Sequence, residues 1–194
     1  MLLSGSQLIG TPIMGLQTGK ELARASAAIV NPHNLSIIAY QVAGPHLDSD
    51  PSYIRTIDIR ELGNLGMIID SSEEFIEPDD IITDKPIYDI GFELEGKHVI
   101  DKEKAKIGKV IDYIVNVDTF VVEQLVVKRP LLKSFHDDEL LIHRDQIIEV
   151  TDDTIVIKSG KASMKAKKAT PSRHYVNPFR QTAPQPETAK IDKR

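Results

Sequence analysis

The residues of this chain whose types could do chemistry fall into a few small groups. His136, Asp137, Asp138 and His143 lie close together, and imidazole with carboxylate is a donor set that zinc and harder cations accept. Metal sites nonetheless use recurrent ligand spacings backed by outer hydrogen bonds. The spacing here matches none of them, and a loop rich in Asp is at home in water. Gly63-Asn64-Leu65-Gly66 is glycine-rich but sits between two apolar runs, where glycine serves a turn. No G-x-x-x-x-G-K-[ST] loop, dinucleotide fingerprint or G-x-S-x-G elbow occurs. Asp79-Asp80 pairs two carboxylates inside an acidic stretch, which solvation explains better than acid–base work. There are no cysteines, hence no disulfide, thiolate zinc site or Cys nucleophile. The expectation is a protein that is not an enzyme, with no catalytic residue, no cofactor and no metal.

Two groups of cations remain. Lys128-Arg129-Pro130 is followed by Leu131, Leu132 and Lys133, a loop with two leucines held between three cations. Such a loop suits docking on a protein or lipid surface; the other arrangement folds the leucines back over the strands and leaves the cations in water. Lys165, Lys167, Lys168 and Arg173 form the second group. On a flexible chain they neutralise phosphates with release of counterions, and anionic lipid would contribute about 1 kcal/mol per basic residue near its surface. The alternative is a tail that only solubilises or lies back on an acidic body. Residues 161–194 hold nine Lys or Arg against Glu187 and Asp192, a net of +7, while residues 1–160 carry a net of −12. An acidic body with a basic tail implies anionic partners.

The elements that position these groups are strands, and they occur twice. Residues 94–128, LEGKHVIDKEKAKIGKVIDYIVNVDTFVVEQLVVK, have a looser copy in residues 8–42, LIGTPIMGLQTGKELARASAAIVNPHNLSIIAYQV. An offset of 85 lays Ile29-Val30-Asn31 on Ile114-Val115-Asn116, and Leu35, Ile37 and Val42 on Phe120, Val122 and Val127. In the clearer copy Ile107–Val117 alternates, with Ile111, Tyr113, Val115 and Val117 on one face and Val110, Asp112, Ile114 and Asn116 on the other; period two in β-branched residues is a half-buried strand. Phe120–Lys128 is its partner. Leu140-Leu141-Ile142 reads as a strand, His143–Gln146 as a helical turn, and Asp152-Asp153 as a hairpin into Thr154–Lys158. Short strands with tight turns predict a small closed or nearly closed barrel. Ala25, Ala27 and Ala28 put small residues where the second copy is bulky, so the first copy is expected to lean on its neighbour. Residues 70–95 hold ten acidic groups against Lys85 and are expected to offer little core. Beyond residue 160 the composition of Lys, Ala, Ser and Pro predicts a disordered tail.

At 194 residues with 41% hydrophobic content, the chain has room for two small domains, each marginal alone. The start, MLLSGSQLIG, lacks the basic and apolar regions of a signal peptide, and no run of residues approaches the roughly 18–20 apolar positions of a membrane helix. A cytoplasmic protein, possible at a membrane surface, is expected.

The second copy resembles the PRC-barrel domains, a family named for the cytoplasmic barrel of a photosynthetic reaction-centre subunit and shared with the C-terminal half of a bacterial ribosome-maturation factor. The likeness rests on Gly96-Lys97-His98-Val99, Ile107-Gly108-Lys109-Val110, Asp112-Tyr113-Ile114-Val115, Glu123–Val127, and Gln146–Val150 with its Asp152-Asp153 turn. It implies a mostly β fold of two small PRC-type barrels in tandem with short helical turns: a divergent first barrel over residues 5–70, an acidic linker over 71–91, a second barrel over 92–158, and the basic tail over 161–194. It further implies a docking module without catalytic residues, an adaptor or scaffold for a protein partner. A ribosome-assembly or RNA-metabolism factor and a membrane-proximal scaffold in cell division or envelope organisation are the alternatives, with RNA or anionic membrane met by the tail. The candidate contact residues are Lys128, Arg129, Leu131, Leu132, Lys133, Lys165, Lys167, Lys168 and Arg173.

Overall fold

Runs of Val, Ile, Leu and Ala broken by turn formers leave this backbone one economical way to satisfy its hydrogen bonds, a mostly antiparallel sheet. A computed structural model describes residues 1–45, 47–81, 85–130 and 139–158. In chain order the elements are β1 (Leu2–Ser4), α1 (Gly5–Leu8), β2 (Pro12–Gly15), β3 (Lys20–Asn31), β4 (Ser36–Ala43), β5 (Ser52–Arg55), β6 (Glu61–Gly63), β7 (Gly66–Ile69), β8 (Phe75–Ile76), α2 (Lys85–Ile90), β9 (His98–Asp101), β10 (Lys106–Asn116), β11 (Val121–Lys128), β12 (Glu139–His143), β13 (Ile147–Val150) and β14 (Thr154–Ile157). The fold is mostly β, with the basic tail outside the described residues.

Both halves run through one strand order. The first pairs as β6-β7-β2-β3-β4-β5 and the second as β13-β14-β9-β10-β11-β12. Every contact is antiparallel except β2 with β7 and β9 with β14, which are parallel at equivalent positions, Ile13 opposite Met67 and Val99 opposite Ile155. The long hairpins coincide at the offset of 85 read from the sequence: Asn31 lies opposite Ser36, and Asn116 opposite Val121.

The sheet does not close, and this corrects the closed alternative of the closed or nearly closed barrel expected. One 14-stranded sheet carries both halves. Between β5 and β6, and again between β12 and β13, the chain makes a 3-10 turn (Thr56–Asp58 and Arg144–Gln146), and no ladder joins the flanking strands among the described residues. The halves meet instead at β4 and β11, where Ser36 faces Val121. There the Ile37 N–H donates to the Phe120 carbonyl (2.7 Å) and the Val122 N–H to the Leu35 carbonyl (2.9 Å). These two bonds exchange under the offset of 85, so the halves are related by a local two-fold axis.

The N-terminal segment reinforces the junction. β1 pairs with β10, Leu3 opposite Val115, and Ser6 donates through its N–H and hydroxyl to Asp112 (3.2 and 2.7 Å). Gly5 is forced by packing: a Cβ there would overlap the Tyr113 ring. Leu8 is buried in the same core that holds Ile37, Tyr40, Ile54, Val115, Val122 and Leu125.

Three further expectations are corrected. Strict alternation put Ile111 with the buried face and Val110 opposite, yet Val110 is 1% exposed and Ile111 38%. The ladder skips from Val110 to Asp112, so Ile111 is the extra residue of a β-bulge, which reverses the phase. The first half has the same bulge between Ala25 and Ala27. Nor is the first half starved of volume at its alanines. Ala28 lies opposite Tyr40 where Tyr113 lies opposite Leu125, so the large ring has moved to the partner strand. The acidic connector also adds core, through Ile81, Phe92 and Leu94.

Val115 and Val122 are fully buried and paired across β10 and β11. Cutting either to Ala should cost on the order of 1–3 kcal/mol in denaturant unfolding; a change under a few tenths at both would contradict the register. Gly5→Ala, though exposed to no ligand, should lower the stability of the whole chain by about 1–3 kcal/mol through overpacking against Tyr113, read as a drop in the urea midpoint at unchanged slope.

Candidate docking surface

β11 ends at Lys128, an exposed residue with Lys109 of β10 on one side and Glu139 of β12 on the other. One like and one opposite charge flank this ammonium across the sheet. Gly108 makes the corner possible, because any Cβ there would overlap the Lys128 carbonyl. Arg129 follows, half-buried, and then exposed Pro130. The structure thus places Lys128 and Arg129 side by side at the end of a strand, as the sequence indicates. Leu131, Leu132 and Lys133 lie outside the described residues, as do Lys165, Lys167, Lys168 and Arg173.

β12 starts beyond that loop and pairs with β11 from Glu139 opposite Lys128 to His143 opposite Gln124. No strand pairs with its other edge among the described residues. The matching edge of β5 is covered, because β8 lies against it with Ile76 opposite Tyr53 and Phe75 opposite Ile54. The two equivalent edges therefore differ among the described residues, one satisfied and one open, and open edges are templates for a further strand.

The remaining candidates among the described residues have local structural tasks. His143 caps the turn that follows it: its Nδ1 accepts from the Asp145 N–H (3.3 Å), and its Nε2 lies 3.9 Å from a Glu123 carboxylate oxygen. His136, Asp137 and Asp138 lie outside the described residues, and among the described residues no group of three or more His, Asp or Glu side chains is arranged to hold a metal. Gly63–Gly66 is the hairpin between β6 and β7. Asp80 accepts from the Glu77 N–H (3.1 Å) and so closes the turn Pro78–Asp80.

One cluster carried no charge-pattern signal in the sequence. Lys97 is only 8% exposed; its ammonium sits 4.2 Å from the centroid of the Phe92 ring and donates to the Asp152 carbonyl. With the His98 N–H donating to the Asp153 carbonyl (3.0 Å), it pins the Asp152-Asp153 turn to the start of β9. Glu93, Glu95 and Asp153 line an open cleft beside it. Burial first, then the charges of Asp112 and Glu93, raise the Glu95 carboxyl above its ordinary range. The only sign of this in the sequence was the Gly96-Lys97-His98 string, and a lysine after a glycine gives no hint of burial. The cleft gathers carboxylates around one cation already bound to a carbonyl, which is the chemistry of a pinned turn.

No helix among the described residues is long and apolar enough to cross a membrane. No curated protein matches the chain. Residues 89–164 match the PRC-barrel domain family. The match covers the segment in which β9 to β14, the Lys97 pin and the outer edge of β12 occur, so the second half of this chain is similar to the PRC-barrel domain family.

Proposed function

We propose that the chain is a non-enzymatic adaptor built of two PRC-type units, residues 5–70 and 92–158 joined by 71–91, and that its second unit docks a protein partner. Support for two units comes from the common strand order, the bulges at Ala25/Ala27 and Val110/Asp112, and the reciprocal bonds at the junction. The observation that carries the docking reading is the corner at Lys128-Arg129, where a strand ending in an exposed lysine, followed by a half-buried arginine, precedes Leu131, Leu132 and Lys133 in the sequence, within the family match. An apolar pair flanked in sequence by cations suits a partner with an apolar patch and an acidic rim, which fixes register by complementary charge. A second reading follows from the +7 of residues 161–194 against the −12 of the rest. Lys165, Lys167, Lys168 and Arg173 would add attraction to RNA or to an anionic membrane, and this reading has the adaptor work in the cytoplasm and at its surfaces.

A photo-crosslinking residue at Leu131 in the full-length chain, expressed in its native cell, tests the docking reading. It should trap one discrete protein, with yield lowered about tenfold when Lys128→Glu and Arg129→Glu are combined. The same probe at Gln17, an exposed turn residue of the first half, should not trap that protein. Equal trapping at both positions, or trapping indifferent to the charge reversal, would contradict it. Trapping abolished by nuclease would transfer the role to RNA.

A further inference from the structure

The two halves share strand order, bulge positions and parallel register, yet differ at one edge. β8 covers the outer edge of β5 only a few residues after β7 ends. The equivalent edge of β12 is open among the described residues, and the chain continues for another 36 residues past Lys158. Where that continuation goes follows from the offset between the halves in this region.

β5 and β12 correspond at an offset of 88. Tyr40 opposite Ile54 matches Leu125 opposite Ile142, and Gln41 opposite Tyr53 matches Val126 opposite Leu141. β7 and β14 correspond at the same 88, Met67 to Ile155. Carried forward, the offset lays Phe75 and Ile76 on Ser163 and Met164. Met164 is the one large apolar residue between Ser159 and His174, and the family match ends on it, seven residues beyond β14. The offset also sets Tyr175-Val176 on Ile87-Tyr88, where Tyr88 packs edge-on to Tyr53 (centroids 5.0 Å apart, planes at 83°).

We infer that Ser163 and Met164 add to the open edge of β12 as an intramolecular strand, Met164 opposite Leu141 and Ser163 opposite Ile142. The pair Leu141–Met164 stands on the outer face in the place of Tyr53–Ile76, an apolar cross-strand contact. Ser163 takes the core-facing place of Phe75 without adding volume. This occupant leaves the cations from Lys165 onward anchored beside β12, and a foreign strand must displace it to reach that edge. The inference is independent of the docking reading, which concerns the Lys128–Lys133 loop.

The absence of cysteine gives a clean background for the test. In the full chain, Leu141→Cys is combined in turn with Ala162→Cys, Met164→Cys or Ala166→Cys, and disulfide formation is timed under mild oxidation. A tethered but unpaired tail would close all three at rates within about twofold, since closure depends weakly on loop length. The strand pairing requires the 164 pair to close at least about tenfold faster, because its Cβ atoms alone stand within bridging distance. Equal rates, or disulfides formed only between chains, overturn the inference; the latter would mean that a second copy takes the edge. A second measurement guards against perturbed folding of the cysteine pairs. Adjacent residues of a strand point their N–H groups in opposite directions, so replacing both Ser163 and Met164 by Pro removes whichever bond β12 receives. Outward-facing amides of β12 should then exchange at least about tenfold faster. Unchanged protection overturns the proposal.

Discussion

The structure depends on the short antiparallel contact between β4 and β11. Two backbone bonds, Ile37 to Phe120 and Val122 to Leu35, turn two six-strand units into one sheet, and they carry a backbone cost. Leu35 and Phe120 stand at equivalent positions with φ of 57° and 52°, in the left-handed region where a residue with a Cβ is strained by about 1–3 kcal/mol. Both side chains are buried at the joint, and the Phe120 ring meets Tyr40 of the other half edge-on, centroids 6.3 Å apart. Burying a large apolar side chain stabilises by about 1.5–3 kcal/mol, which offsets strain of that size. Glycine would relieve the backbone at either site and forfeit the contact that joins the halves.

From this joint the rest follows. A local two-fold brings each half's 3-10 turn against the other's hairpin: Thr56 and Ile57 border Val117–Phe120, and Arg144 donates to the Asn34 carbonyl (3.2 Å). The segments that lead into each half cross over in the same way. β1 and α1 lie on β10, and Phe92 and Leu94 approach β3 through Ser26, Ala28 and Val30. A unit of this size buries too little surface to be robust alone, and each borrows a strand edge and core volume from its neighbour. The surfaces that the two-fold leaves without a partner among the described residues are the Lys128-Arg129 corner and the outer edge of β12, and the proposed docking rests on the first of them.

Much of this was legible in the sequence because the two copies kept their spacing. The offset of 85 located both long hairpins, and β-branched alternation marked their strands. The bulge at Ile111 was hidden, since Val110 and Ile111 are both apolar and hydropathy alone does not say which of two neighbours is squeezed out of the ladder. Barrel closure was misjudged for a related reason: turn chemistry shows that a chain reverses but not whether its last strand reaches the first. The three-residue strand β1 offered too short a pattern to reveal a partner more than a hundred positions away. Of the candidate site, Lys128 and Arg129 were readable as cations after a strand, whereas the burial of Lys97 depends on Phe92 and on the Asp152 carbonyl, which only the folded chain brings together.

If the joint holds the halves together, neither has a cheaper way to open. Native-state hydrogen exchange on the full chain tests this directly, by comparing the most protected amides of β3 and β4 with those of β10 and β11 across increasing denaturant. The account predicts that both sets converge on a single opening free energy and a single denaturant dependence, the signature of one cooperative unit. Exchange of one half through a smaller opening, with the other half's protection intact, would contradict it.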